Sequence, residues 1–314
     1  MPIYQTSIAG STFSLRPCAR CGRKALDPRP RASELDGWYG RSYFGAGAVK
    51  FVGPIEAVVT WFRRGRAQLA VRLLRPESDD SLAGRRVLDV GCGAGQFLAA
   101  LAVRGCECHG TELSAETATR AAELTGIRLH VGPIEATMYP EGFFDLISVW
   151  HVLEHLQDPD ATLRNCRQWI RERGTLMIAV PNIDSWQARL FRGSWFHLDP
   201  PRHVFHFGAT SLRRALHDAG FRALRIRHLS WEQNLFGVLQ SILNALGFPR
   251  DDFYEALKGN RRIGSHASDF IAGLVMAAGF LPATVFAIAE AGFRAGGTLE
   301  CVATTDGPRT PVGS

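Results

Sequence analysis

Short apolar runs alternate along this chain with stretches whose apolar residues recur every three or four positions, which predicts strands and helices in turn. Residues 87–90, 107–111, 144–150 and 175–180 read as strands. Residues 54–75 read as an amphipathic helix, with Ile55, Val58, Val59 and Phe62 on one face and Arg63, Arg64, Arg66 and Arg72 mostly outside it. A second helix has Asp158 as N-cap and Pro159 in its first position. It carries Leu163, Cys166 and Ile170 at helical spacing and stops at Gly174. A third caps at Thr210 and carries Leu212, Ala215, Leu216 and Ala219 before Gly220. Residues 222–230 and 297–304 read as two further strands with an insertion between them. Within that insertion, 235–246 is apolar at helical spacing. The twenty residues 270–289 carry no charge and are interrupted by Gly273, Gly279 and Pro282, which predicts two short helices.

The run Val87-Leu88-Asp89-Val90-Gly91-Cys92-Gly93-Ala94-Gly95-Gln96-Phe97-Leu98 is a strand that breaks into three alternating glycines and resumes as a helix. Glycine is required where the backbone takes positive φ or approaches a ligand closely. A helix N-terminus behind such a turn offers free N–H groups and a positive dipole end. The spacing is D-x-G-x-G-x-G, not the dinucleotide G-x-G-x-x-G, because position 96 is Gln. The next strand ends in an acid, Glu112, 19 residues after Gly93. A dinucleotide enzyme would also place an acid there, so Glu112 alone does not discriminate.

This run resembles motif I of the class I S-adenosylmethionine-dependent methyltransferases. The likeness continues through a strand reading Phe144-Asp145-Leu146-Ile147, a Leu153-Glu154-His155 turn and Asp158-Pro159 opening a helix. It is closest to a bacterial group similar to ubiquinone-type O-methyltransferases, and it is good over about residues 39–230. The resemblance implies a Rossmann-like, doubly wound α/β fold with a seven-stranded, mostly parallel sheet, and S-adenosyl-L-methionine as cofactor. It implies Asp89, Gly91, Cys92, Gly93, Gly95, Glu112, Leu113, Ile134, Glu135, Trp150 and His151 as cofactor-binding residues, with the glycine turn under the methionine end and Glu112 on the ribose hydroxyls. The chain then divides into a basic Cys/aromatic leader (1–50), a methyltransferase core (51–230), a hydrophobic helical insertion (231–296), and a last strand and tail (297–314).

Composition narrows the setting. The first residues lack an apolar signal-peptide core, and several of the seven cysteines fall in elements expected to be buried, which argues for reduced thiols and a cytoplasmic protein. Thirty-three of the 36 basic residues are Arg, without a basic stripe interleaved with aromatics, so nucleic acid is not the expected partner. Residues 1–50 hold eight Lys/Arg against three Asp/Glu, a basic arm open to solvent, to an acidic substrate or to an anionic membrane surface. The same segment holds Cys18-Ala19-Arg20-Cys21. A structural zinc site needs four ligands, and no second pair is present nearby, so no metal is expected. The aromatics Trp38, Tyr39, Tyr43 and Phe44 suit either a sulfonium or packing on the domain.

The 27 residues from Asn182 to Gly208 are too many for a simple connection and carry Trp186, Trp195, His197, Asp199, Arg202, His203 and His206. Ligands of open α/β sheets sit beyond the strands' carboxyl ends, so the acceptor is expected here. A hydroxyl acceptor needs a base, and His155, His203 and His206 are the candidates. Each has a plain alternative: a histidine that bonds to backbone and shapes its loop. The insertion has three open readings: a hydrophobic lid beside the active site, a membrane-surface contact through 270–289, or a span. A lid would suit a small-molecule or lipid-linked acceptor. The rival functions are a nicotinamide oxidoreductase and a cofactor- or lipid-binding domain without turnover.

Overall fold

The computed structural model describes residues 4–8, 11–35, 54–75, 81–127, 129–250, 252–258 and 268–305. The aromatics at 38, 39, 43 and 44 lie outside them. So do the side chains of Ile55, Val58, Val59 and Phe62.

In chain order, three strands β1 (Gln5–Ile8), β2 (Ser11–Pro17) and β3 (Lys24–Asp27) precede a single helical turn α1 (Ala32–Leu35) and the long helix α2 (Pro54–Leu74). The core then runs β4 (Arg86–Val90), α3 (Gln96–Ala102), β5 (Glu107–Glu112), α4 (Ala115–Thr125), β6 (Leu129–Val131), β7 (Phe144–Trp150), α5 (Pro159–Trp169) and β8 (Ile170–Pro181). After α6 (Trp186–Phe191), β9 (Phe205–His206), α7 (Ala209–Asp218) and β10 (Phe221–Arg227) come the helices α8 (Trp231–Ala245), α9 (Asp252–Leu257) and α10 (Ser268–Gly292), and finally β11 (Thr298–Thr305).

The central sheet has seven strands in the order β10-β11-β8-β7-β4-β5-β6. Strands β4 to β8 are parallel, while β11 runs antiparallel to β8 and β10 antiparallel to β11. The expected doubly wound sheet is present, and its last two strands pair as a hairpin opened by the helical insertion. β4, β7 and residues 176–181 of β8 are buried on both faces because helices cover both. One core cluster lies on the α5–α7 side (Leu163, Trp169, Leu212, Leu216) and another on the α2–α3 side (Ala70, Leu74, Leu98, Leu101).

A second sheet, β1-β2-β3-β9, ties the N-terminal segment to the long connection, with Lys24 opposite His206 and Ala25 opposite Phe205. Beneath it, Tyr4 packs with Ile183, Ala188, Trp195 and Leu198.

Four local expectations are corrected. Helix α5 ends at Trp169, and Ile170 already belongs to β8, opposite Phe144; a β-branched side chain suits that extended, fully buried position. Gly174 accordingly lies within β8 and stops no helix. Helix α7 is capped by Gly208, whose N–H donates to the Ser211 hydroxyl at 2.9 Å, and not by Thr210. Residues 268–292 form one helix, not two. Ala272 on one side of Pro282 and Ala283 and Ala287 on the other are buried, while the proline itself is exposed, so packing holds the axis through the missing N–H.

Candidate active site

The tips of β4, β5 and β7 open into a cavity of about 1140 Å³ that runs from the glycine turn to the start of α8. Its end at the tips of β4 and β5 is set by backbone. Gly91, Gly93 and Gly95 have φ of +66°, +54° and +74°, a region L side chains rarely enter. The three have different neighbours. A Cβ on Gly91 would meet Val152 at 2.5 Å and one on Gly95 would meet Thr125 at 2.9 Å, whereas a Cβ on Gly93 would find nothing within 4 Å. Gly93 therefore turns bare backbone toward open space.

Glu112 stands across from it. Its carboxylate accepts from Gly93 N–H at 2.9 Å and from Ser114 N–H at 3.2 Å. Burial raises its pKa, and the backbone donors offset only part of that rise. Glu112 thus braces the turn while lining the cavity. Cys92, Leu113, Ile134, Glu135, Trp150 and His151 line the same cavity, with Leu113 half exposed. Asp89 and Gly95 do not. Asp89 is buried below the turn and paired with Arg66, and Gly95 is the N-cap of α3.

Arg66 is the residue the helical pattern misplaced. Far from standing on the outer side of α2, its guanidinium reaches the cavity, bonds both Asp89 and the Ser148 hydroxyl, and lies 3.9 Å from the Phe97 ring centroid. Desolvation raises the pKa of Asp89, and the Arg66 charge opposes that rise. Periodicity cannot find such a residue; the signal would have been an unmatched buried acid, Asp89, in an otherwise apolar strand.

The other end of the cavity gathers residues far apart in sequence. Glu154 and His155 come from the turn after β7, and His197, Asp199, Arg202 and His203 from the long connection. Tyr254 comes from α9, and Trp231 and Gln233 from the start of α8. The His155 Nδ1–H donates to Arg202 O at 3.1 Å and the His203 Nδ1–H to His197 O at 2.8 Å. Both tautomers are fixed with Nε2 as the unprotonated nitrogen. The rings meet edge to face with centroids 4.5 Å apart. Burial lowers both pKa values, that of His203 far below the ordinary range, so both are neutral near pH 7. Burial pushes Glu154 up to about 7. One of its carboxylate oxygens lies 3.3 Å from His151 Nδ1, and the other, Oε2, is buried without a hydrogen-bond partner. Asp199 forms a two-pronged pair with Arg202 at 2.5 and 3.0 Å.

His206 does not join them. It lies outside the cavity lining, 2% exposed, with Nε2–H donating to Leu198 O at 3.1 Å. Its expected place among the bases is corrected on this geometry: pairing of β9 with β3 turns it into the packing beneath the connection. His197 is likewise bonded, its Nε2–H to Gln233 O at 3.1 Å.

The insertion divides in two. The start of α8 and Tyr254 of α9 wall the cavity, whereas no described residue of α10 does. Helix α10 packs on α8 through Ala283, Met276 and Phe286 beside Val238 and Leu239, with a Cβ on Gly279 reaching Leu239 at 3.0 Å, and Ala272 and Ala287 are buried as well. Its large residues, Phe270, Leu274, Leu281, Val285 and Ile288, point to solvent, Phe270 at 73% exposure. It is long and apolar enough to cross a membrane by length and composition. At its C-terminal end Glu290 is fully buried and accepts from Gln187 Nε2, Gly297 N–H and Asn234 Nδ2 at 2.7, 3.0 and 3.3 Å.

Comparison with known proteins places this geometry. The family described as Methyltransferase domain matches residues 62–226. Among curated relatives, the ubiquinone biosynthesis O-methyltransferase of Bordetella bronchiseptica is 35% identical over 114 residues, 34% of this chain and 46% of the relative. That of Aromatoleum aromaticum is 34% identical over 117 residues, 35% and 49% of the two chains. The chain spans about half the length of the curated relatives it matches. Among solved structures, a chain in the complex of the Haloferax volcanii Trm112 methyltransferase activator with a methyltransferase has a TM-score of 0.52 at 18% identity, covering 88% of this chain and 98% of its own. The Haemonchus contortus phosphoethanolamine N-methyltransferase 2 in complex with S-adenosyl-L-methionine has a TM-score of 0.50 at 14% identity, covering 77% and 52%. These two likenesses are of fold.

Proposed function

The chain belongs to the S-adenosylmethionine-dependent methyltransferases, and on that premise we propose that it methylates a hydroxyl group of a small-molecule or lipid-linked acceptor. The observation that carries this reading is one cavity with two unlike ends: bare backbone at Gly93 beside the Glu112 carboxylate, and unprotonated histidine nitrogens at the other. The nicotinamide reading falls with the family match.

The open space over Gly93 fits the cofactor. Glu112 would hold the ribose hydroxyls, and Arg66 supplies a cation near the same end. S-adenosylmethionine supplies an electrophilic methyl group on a sulfonium. The protein's own part is to hold the acceptor in line with that methyl, which is worth several kcal/mol, and to promote loss of the hydroxyl proton, worth roughly 10²–10⁴ in rate. His155 and His203, neutral through burial and held by backbone carbonyls, are the groups we assign to the second task. His206 and His197 hold the connection that carries His203. Phe196, Trp231 and Tyr254 give this end an aromatic wall suited to an apolar acceptor.

We assign α10 to a membrane surface. Its outer face is apolar: Phe270, Leu274, Leu281, Val285 and Ile288 face solvent, and charged groups stand only at the ends. Leaving a large side chain in water forgoes about 1.5–3 kcal/mol, and one face repeats that omission over 25 residues. Trp186 packs on Phe293 at 5.1 Å, and the exposed Arg189 and Arg294 flank that end, an arrangement that favours the interface of an anionic bilayer. Packing of Ala283, Met276 and Phe286 on α8, with Ala272 and Ala287 buried, favours lying on the surface over spanning it.

The test is transfer of label from methyl-labelled S-adenosylmethionine to an extracted-lipid pool and to soluble phenols, with and without anionic vesicles. Labelled ether in the lipid pool, and vesicle sedimentation lost in Leu281→Asp, are expected. Cofactor binding without label in either pool would return the chain to the non-catalytic reading. Vesicle binding unchanged by Leu281→Asp would remove the membrane role from α10.

A further inference from the structure

The Cys18-Ala19-Arg20-Cys21 turn between β2 and β3 takes no part in the cavity described above. With α5 and α7 it borders a second cleft of about 720 Å³, which shares no lining residue with the first. Gly22 N–H donates to Cys18 O at 2.9 Å and Cys18 N–H to Arg23 O at 2.7 Å, so the two cysteines sit three residues apart on one tight turn. Both thiols are free; Cys18 is exposed and Cys21 half-buried, whereas four of the other five cysteines are buried. Hydrogen bonding from the Cys21 backbone, then from the Cys21 thiol and the Arg20 backbone, lowers the Cys18 pKa, and the Arg23 charge acts the same way. Access and thiolate character together make a cysteine reactive.

The cleft is also unbalanced in charge. Arg20, Arg23, Arg164 and Arg214 line it against Asp160 and Asp218. Arg23 is committed to Asp160, which it holds through both guanidinium nitrogens at 2.7 and 2.5 Å, and this pair ties the turn to α5. Arg20, Arg164 and Arg214 form no ion pair among the described residues. Three guanidinium groups from three elements therefore converge beside the thiols with their charge unanswered, and such forks match carboxylates.

We propose that Cys18 and Cys21 form a redox-active dithiol that exchanges with a small disulfide bearing carboxylates, held in this cleft by Arg20, Arg164 and Arg214. The Cys18 thiolate attacks one sulfur of the bound disulfide. The S–S bond breaks, its electron pair leaves on the other sulfur, and a mixed disulfide remains on Cys18. Cys21 gives its proton to solvent, attacks the Cys18 sulfur and expels the second thiolate. Two protein thiols are thereby oxidised by two electrons to one disulfide, and the bound disulfide is reduced to two thiols. The activity is separate from the methyl-transfer reading, because the two clefts have no residue in common.

The experiment is stopped-flow mixing of reduced, chelator-treated full-length protein with dithiobis(nitrobenzoate), a disulfide with two carboxylates, followed by the absorbance of released thionitrobenzoate. A rapid phase releasing two equivalents per chain is expected, and peptide mapping should find Cys18 joined to Cys21. Glutathione disulfide should form the same bond. Cys18→Ser should abolish the rapid phase. Cys21→Ser should stop it at one equivalent, with half of the reagent still attached to Cys18. Replacing Arg20, Arg164 and Arg214 together by alanine should slow the anionic reagent by about tenfold or more, as loss of local charge focusing does, and leave the neutral dithiodipyridine unaffected. These arginines are exposed, so the variant should fold, and an unchanged thermal melt checks that it does. A rapid phase that survives Cys18→Ser would overturn the proposal. So would a mixed disulfide that persists in the parent protein, or a triple arginine variant that treats the two reagents alike.

Discussion

The two ends of the cavity are built by opposite means. The proposed cofactor end is local: Gly91, Gly93, Glu112 and Ser114 lie at two neighbouring strand tips, and the Gly93 and Ser114 N–H groups donate to the Glu112 carboxylate. The proposed acceptor end is assembled from segments near 154, 199, 231 and 254, and its key side chains are held by carbonyls from loops. A site of the first kind is most sensitive to backbone change. A site of the second kind has the reverse sensitivity.

The sharpest break between the two comes from Gly93→Val. A β-branched residue at φ +54° is strained and fills the open space over the turn. Cofactor affinity should fall more than about a hundredfold by calorimetry. Gly91→Ala, which collides with Val152, should instead lower thermal stability by about 1–3 kcal/mol. Equal effects of the two on affinity would erase the distinction between a glycine facing ligand and one facing protein.

His155→Ala probes the opposite end. Turnover should fall roughly 10²–10⁴-fold while S-adenosylhomocysteine affinity stays within about threefold. Full activity would return His155 to a purely structural role. Glu112→Ala should do the converse and weaken cofactor binding by about 1.5–3 kcal/mol, with KM for the acceptor little changed.

The smallest expected effect concerns the junction of α10 with the core. Burial raises the Glu290 pKa to about 7 from 4.5. The folded protein keeps this proton to about pH 7, and the unfolded chain releases it earlier. Stability should therefore fall as pH rises from about 4.5 to about 7 and be level above. Glu290→Gln should flatten that slope, gaining on the order of 1–3 kcal/mol at pH 8 relative to pH 5. An unchanged slope in thermal melts would assign it to other groups.

What could be read from sequence follows the same division. The glycine turn, the Glu112 strand tip and the bounds of β7 were legible because each is contiguous and its period is short. The pairing of β3 with β9 was not, since no turn joins strands almost 180 residues apart. Arg66 was assigned by helical phase to the outer side, yet pairing with buried Asp89 outweighs phase. Pro282 read as a break, but burial of Ala272 and Ala283 on either side keeps one continuous helix through it. His203 was found as a candidate by composition of its loop, while its convergence with Glu154 and His155 is a tertiary fact.

The most direct test of the central claim is calorimetric titration of the full chain with S-adenosylmethionine, S-adenosylhomocysteine and NADH. One site per chain of micromolar affinity for the first two, no heat from the third, and loss of binding of both adenosyl ligands in Gly93→Val are predicted. Absence of binding for the adenosyl pair, or affinity that survives Gly93→Val, would contradict the account.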